Sequence, residues 1–267
     1  MLPYVVGLVF VVIVLMSQHL SRRVVAKKQA VQGSTILGSY LGLMGSFCGI
    51  TLAFMLNAAW SNHEQTREVI NQEAQMLGSI AYFGRGLPHP FDQNVINQAQ
   101  RYAQTVIDDE WPSLSKNQQS LKLNHESAKL GLVILHYQPK DAIGNGLRQQ
   151  LLESFAQLRT LRSERRLKAR YQIPHELWVF IIFGAFNILF FCVMLEMDYH
   201  RFHLAQTGII ATFLALSLSI TWDLQNPFQG FSAVSPAPFT YFQEDSFMNE
   251  TAWQKLNDEP LIISPLE

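Results

Sequence analysis

Apolar residues along this chain are gathered into blocks, with polar stretches between them. A helix needs about 20 apolar residues to cross roughly 30 Å of hydrocarbon at 1.5 Å per residue. Four blocks reach or approach that length: Leu2–Met16, extendable to Leu20; Ile36–Trp60; Leu177–Leu195; and Leu204–Trp222. The last three contain no Asp, Glu, Lys or Arg, and the second is dotted with Gly38, Ser39, Gly42, Gly45, Ser46 and Gly49. This pattern predicts a multi-pass, all-α membrane protein with four spans. Met1-Leu2-Pro3 offers no positive n-region, and no small-residue cleavage site precedes Ser21-Arg22-Arg23. The first block therefore reads as a retained helix, with a processed leader as the alternative.

Residues 61–173 are polar and helical in pattern. Val69, Ile70, Glu73, Met76, Leu77, Ile80 and Phe83 recur at helical spacing, so one helix continues straight on from the second span until Gly84-Arg85-Gly86-Leu87-Pro88 stops it. Asp92 is placed to N-cap a second helix carrying Val95, Ala99, Tyr102 and Val106 and ending near Trp111-Pro112. A third is expected over Leu121–His136, broken by Pro139. The fourth covers about Ala142–Tyr171, with Leu147, Leu151, Phe155, Leu158 and Leu161 on one face. No strand and no internal repeat emerges. The organisation is two spans over 1–60, a helical domain over 61–173, two spans over 174–222, and a C-terminal tail over 223–267. An even number of crossings puts both termini on one side.

Composition narrows the function. Of 267 residues, 48% are hydrophobic and only 15% charged, against roughly 25% charged in ordinary soluble domains. With 20 Lys and Arg against 21 Asp and Glu, the chain is neither a disordered polyelectrolyte nor a basic nucleic-acid binder. Its 2 cysteines, Cys48 and Cys192, fall inside apolar blocks and read as small buried hydrophobes. No Gly-x-Ser-x-Gly, His-Glu-x-x-His or phosphate-cradling glycine loop occurs, and His175-Glu176 lacks the following His. An enzyme is therefore not expected, nor a cofactor. Near span ends the insert side carries seven Lys and Arg, including Arg67, Arg159, Arg162, Arg165, Arg166, Lys168 and Arg170; the other side carries five. By that narrow margin the positive-inside rule favours the insert and both termini on the cytoplasmic side.

Ordered motifs run through most of the chain: Arg67-Glu68 and Glu73-Ala74, Glu110-Trp111-Pro112, Arg165-Arg166, and Ile173-Pro174-x-x-Leu177-Trp178. Asn226-Pro227-Phe228-x-Gly230 and Val234-Ser235-Pro236 complete the series. In this order the chain resembles the bacterial bestrophin-like family, over about Gly38–Phe239. More loosely it is similar to the bestrophins themselves. These are homopentameric ion channels with four spans per subunit, a helical cytoplasmic domain between spans two and three, and a pore neck lined by span two. The resemblance implies a homo-oligomer, pentameric, conducting small monovalent ions across the bilayer. It also implies structural roles for Trp111, Pro112, Arg166, Pro174, Trp178, Asn226, Pro227, Phe228 and Gly230. Gln229 interrupts the family's Pro-Phe-Gly, and Gly230-Phe231-Ser232-Ala233 lacks the acidic run of the animal calcium clasp.

On span two, Ile50, Phe54 and Ala58 recur every fourth residue, with Phe47 and Asn57 at the edges of the stripe. In a ring of such helices Ile50 and Phe54 form apolar collars that bar ions by dewetting. The plainer alternative is that this face packs against another span of the same protomer. Beyond the neck, Glu64, Arg67, Glu68, Asn71 and Glu73 would line a vestibule and set local ion concentration, or pair along their own helix. Glu196, His200 and His203 are a metal-site candidate set against a bland headgroup position. A second functional class stands beside the channel: a non-conducting membrane scaffold or sensor whose helical insert binds a partner. Asn249-Glu250-Thr251 is a chance sequon.

Overall fold

The computed structural model describes residues 34–194 and 200–244, with isolated positions 5, 7, 11, 12 and 16 before them. The expected first span, Glu196 and the end of the tail lie outside the described residues. Every regular element described is helical, in agreement with the all-α expectation. In chain order these are α1 (Ser34–Arg85), α2 (Phe91–Thr105), a π-turn (Val106–Glu110), α3 (Trp111–Leu114), α4 (Leu121–His136), α5 (Ala142–Ala169), α6 (His175–Met194), α7 (His200–Leu224) and α8 (Ala237–Glu244). Three of them are long and apolar enough to cross a membrane: Gly38–Arg85, His175–Val193 and Phe202–Leu224.

The chain forms two compact units, one of Met1–Glu64 with Tyr171–Ala233, the other of Gln65–Arg170 with the chain from Val234. α1 contributes to both. Its 52 residues rise through about 78 Å, and it ends where the glycine-rich segment tightens into i→i−3 bonds, Gly86 N–H to Phe83 at 3.1 Å and Leu87 N–H to Gly84 at 3.1 Å.

In the first unit one face of α1 supplies Cys48, Leu52, Met55 and Ala59 to a core completed by Ile181, Ala185, Ile188 and Leu189 of α6 and Ala211 and Leu214 of α7. α1 and α6 touch where Gly184 meets Cys48. A β-carbon at 184 would overlap Cys48 Sγ, so glycine there sets the closest helix approach. His203 Nε2 lies 2.8 Å from the Cys192 carbonyl and donates to it, since a carbonyl only accepts. That bond ties the start of α7 to the end of α6.

In the second unit α2 packs on α4 and on α8, and α4 on α5. Val95, Ile96, Ala99, Tyr102, Leu123, Leu130, Ile134, Leu151, Leu158 and Phe239 are buried there. α4 occupies the expected range because Ser120 caps it, accepting from Leu123 N–H at 2.9 Å. α5 is capped by Asp141, which accepts from Gly144 N–H at 2.6 Å. It stops at Ala169, before the expected Tyr171, and residues 171–174 ahead of α6 belong to no regular element. Asp92 is not a cap. Pro90 holds that position, and Asp92 lies inside the first turn, where a carboxylate suits the helix dipole. The expected even helix from Asp92 to Trp111 is also corrected: at Val106–Glu110 it widens into a π-turn that buries both Val106 and Glu110.

Candidate functional site

Opposite its core face, α1 turns Phe47, Ile50 and Phe54 outward; Ile50 is 58% and Phe54 71% exposed. Asn57 is exposed beside them and Ala58 half-buried. Among the described residues no helix covers this stripe. On its flank Gly38, Gly42, Gly45 and Gly49 lie along one side of the helix, and nothing described comes within 4 Å of a β-carbon placed on any of them. Bare backbone on a membrane helix is where another helix can approach closely.

Further along α1, Arg67, Glu68 and Asn71 are exposed and Glu64 half-buried. Glu68 accepts from Gln72 Nε2 at 2.7 Å. Glu73 does not join them: it has 0% exposure. Its place in a vestibule is corrected by its partners, all in the second unit. Arg165 donates to it through Nε at 2.6 Å and Nη2 at 3.2 Å, and Tyr102 through its hydroxyl at 2.7 Å. Arg165 also donates to Glu110, which accepts from Arg162 Nη2 at 3.0 Å; Arg162 reaches Asn124 Oδ1 at 2.9 Å. The Arg165 guanidinium lies 5.6 Å from the Trp111 ring centre and 6.0 Å from that of Phe239. Two carboxylates and two aromatic faces thus enclose one fully buried cation.

Burial by itself pushes the Glu110 carboxyl up, but the Arg165 and Arg162 guanidiniums outweigh it and hold Glu110 below the usual carboxylate range. Burial lifts the Tyr102 hydroxyl well above its ordinary value, and the Glu73 carboxylate lifts it further, so it stays a donor. Arg165 is pulled down by burial and raised more strongly by Glu73 and Glu110, so its charge is fixed. Arg166, singled out from the sequence, is only half-buried; its neighbours Arg162 and Arg165 carry the network. Trp111 belongs beside it, its Nε1 donating to the Val234 carbonyl at 3.1 Å, while Pro112 is exposed in the first turn of α3.

The turn after α7 is held by a residue that the motif reading passed over. Asp223, at 3% exposure, accepts from the N–H of Phe231 at 3.0 Å and of Ser232 at 2.9 Å. Gly230, just before them, adopts φ +87°, and a β-carbon there would run into Asp223 Oδ1. Both the left-handed backbone and the space demand glycine. Asn226 Nδ2 donates to the Trp222 carbonyl at 2.8 Å, and Pro227 and Phe228 are buried. Gln225 Oε1 accepts from Ile173 N–H at 3.4 Å and Trp178 Nε1 at 3.3 Å, fastening the approach to α6, where Pro174 is exposed. His63 of α1 donates from Nε2 to the Ser232 carbonyl at 2.7 Å. The motif from Asn226 to Gly230 is therefore a folded latch between α1 and α7. Among the described residues no three potential metal ligands cluster. The candidate Glu196, His200 and His203 loses His203 Nε2 to the Cys192 carbonyl.

A bestrophin-like domain model matches residues 8–239. The chain belongs to the bestrophin-like family. Three crystal structures of a bacterial bestrophin homologue from Klebsiella pneumoniae share its fold. One, solved by Zn-SAD phasing, has a TM-score of 0.62 at 12% identity over 94% of this chain and 98% of that one. A second reaches 0.67 at 13% identity over the same shares, and a third 0.63 at 14% over 96% and 98%. No curated protein matches this chain. The bestrophin-like assignment, with three described helices able to cross a bilayer, makes this a membrane protein.

Proposed function

We propose that this bestrophin-like chain is a homo-oligomeric channel, pentameric, that passes small monovalent ions along α1 with Ile50 and Phe54 as its neck. One observation carries the reading: the Phe47–Ile50–Phe54 stripe faces out of the protomer core and runs beside a glycine flank open to a neighbouring helix. Exposed apolar faces on α6 and α7 suit lipid. The α1 face differs because its bare-backbone flank favours a helix neighbour over acyl chains. In a ring, the apolar collar removes an ion's water without replacing it, so the neck is the barrier. Asn57, then Glu64, Arg67, Glu68 and Asn71 on the same helix, rehydrate and concentrate ions beyond it. The chain resides in a bacterial inner membrane with its termini in the cytoplasm, the insert side carrying the excess of basic residues near span ends.

The test is ion flux into proteoliposomes holding the purified protein, with subunits counted by native mass spectrometry. Wild type should conduct as a pentamer, and Ile50→Ala with Phe54→Ala should raise the flux on the order of tenfold by widening an apolar constriction. An assembled wild type that passes no ions, or a double variant with unaltered flux, would sink the reading.

A further inference from the structure

The cations crowded at the end of α5 meet different fates. Arg162 and Arg165 are buried against Glu110 and Glu73. Lys168 is half-buried, 3.6 Å from Glu164 and donating to Gln65 at 2.8 Å. Arg159, Arg166 and Arg170 remain, and among the described residues no carboxylate or other acceptor engages them. At 100° per residue these three fall within about 40° of one another around the helix. The adjoining sector holds Ala156, Thr160, Ser163 and Leu167 and no acid. Leu167 is 69% exposed. The face thus carries three unneutralised guanidiniums with one bare apolar side chain on its edge.

Covalent reach places that face. After Arg170 the chain runs Tyr171-Gln172-Ile173-Pro174 into α6, so Arg170 lies within about 17 Å of His175. Near the start of α6, Trp178 packs edge-to-face on Trp222 of α7, with ring centres 5.3 Å apart. Trp222 is half exposed. Indoles concentrate at the headgroup layer, where one edge of the ring is wet. The lipid phosphates therefore lie at this end of α6. The nearest acid in the connector region is Glu176, exposed in the first turn of α6, too little to neutralise three arginines.

We propose that the Arg159–Arg166–Arg170 face of α5, with Leu167 as its apolar anchor, docks on the anionic lipid headgroups of the bilayer that holds the chain. A guanidinium matches a phosphate bidentately and keeps its charge at any pH the protein meets. Each arginine near an anionic surface strengthens the attraction about fivefold, so removing two weakens it roughly thirtyfold. The contact is electrostatic, and salt loosens it. It stands whether or not the chain conducts.

Full-length protein carrying Leu167→Cys tests it. The chain is reconstituted in vesicles of phosphatidylcholine alone or with one third phosphatidylglycerol, and residue 167 is labelled with a membrane-impermeant thiol reagent. Cys48 and Cys192 are buried in apolar helices, and the chain without the new cysteine gives the background. Labelling should be on the order of tenfold slower in the anionic vesicles. High salt, or Arg166→Gln with Arg170→Gln, should remove the difference, while Arg166→Lys with Arg170→Lys should keep part of it. Soluble glycerophosphate added to phosphatidylcholine vesicles should not protect. Equal labelling in the two lipids overturns the proposal, as does protection that survives the glutamine variants or that soluble phosphate reproduces. The lipid comparison on the chain with all its arginines decides without either arginine variant.

Discussion

Arg165 answers two carboxylates at once, and its removal strands both. Arg165→Met should therefore lower the stability of the second unit by about 3–5 kcal/mol, read as the loss of cooperative thermal unfolding in detergent. Adding Glu73→Gln and Glu110→Gln should recover part of that loss, because the stranded charges go with the cation. The same cluster sets a pH dependence. Glu110 is held below the unfolded carboxylate value of about 4.3. Its contribution is therefore complete above that pH and lost as pH falls through its own lower value. Thermal unfolding between pH 6 and 3 should show wild type losing stability more steeply than Glu110→Gln; parallel curves would contradict the assignment. Gly230 is a residue-scale requirement of another kind. Gly230→Ala forces a β-carbon into Asp223 at a positive φ and should cost about 2 kcal/mol or more, whereas Gln229→Ala at the exposed neighbour should be nearly silent.

At the scale of elements, the π-turn over Val106–Glu110 is what aims Glu110 into the second unit. One residue more than an α-turn needs is accommodated there. Deleting exposed Asp108 restores the α-helical count and turns the preceding helix by about 100° relative to Glu110. The deletion should cost as much as losing the buried pair, about 3–5 kcal/mol, in the same unfolding assay. Gly184 and Cys48 allow a paired test: Gly184→Ala alone should destabilise the first unit, and Cys48→Ala should rescue it by removing the sulfur. Most helix limits were legible, because Ser120, Asp141, Pro139 and the Gly84–Pro88 segment punctuate the chain locally. The π-turn was not, since one extra residue leaves no mark on a short periodicity. Nor was the burial of Glu73, Arg162 and Arg165. Charged side chains read as surface, and their charged partners lie 52–92 residues away. Asp223 escaped because its job is done by backbone amides eight and nine residues later, which no side-chain pattern records.

For the whole molecule, the open glycine flank of α1 carries the assembly prediction. Gly45→Leu with Gly49→Leu adds bulk where, among the described residues, nothing comes within 4 Å. If the proposed oligomer forms through this flank, the variant should fold as before while the assembly dissociates by native mass spectrometry; an assembly that stays intact would mean that this flank faces lipid. The stripe of Ile50 and Phe54 was legible as a periodicity, but only the fold shows that it points away from the core shared with α6 and α7. Arg165 has one further consequence, for the order of manufacture. A ribosome makes Glu73 and Glu110 first and reaches Arg165 only after 55 more residues. Until then two acids destined for a dry interior have no countercharge and hold the domain open to water. A nascent chain halted before α5 is complete should be readily cut by proteases, and the polar domain can close only when α6 is next to be made.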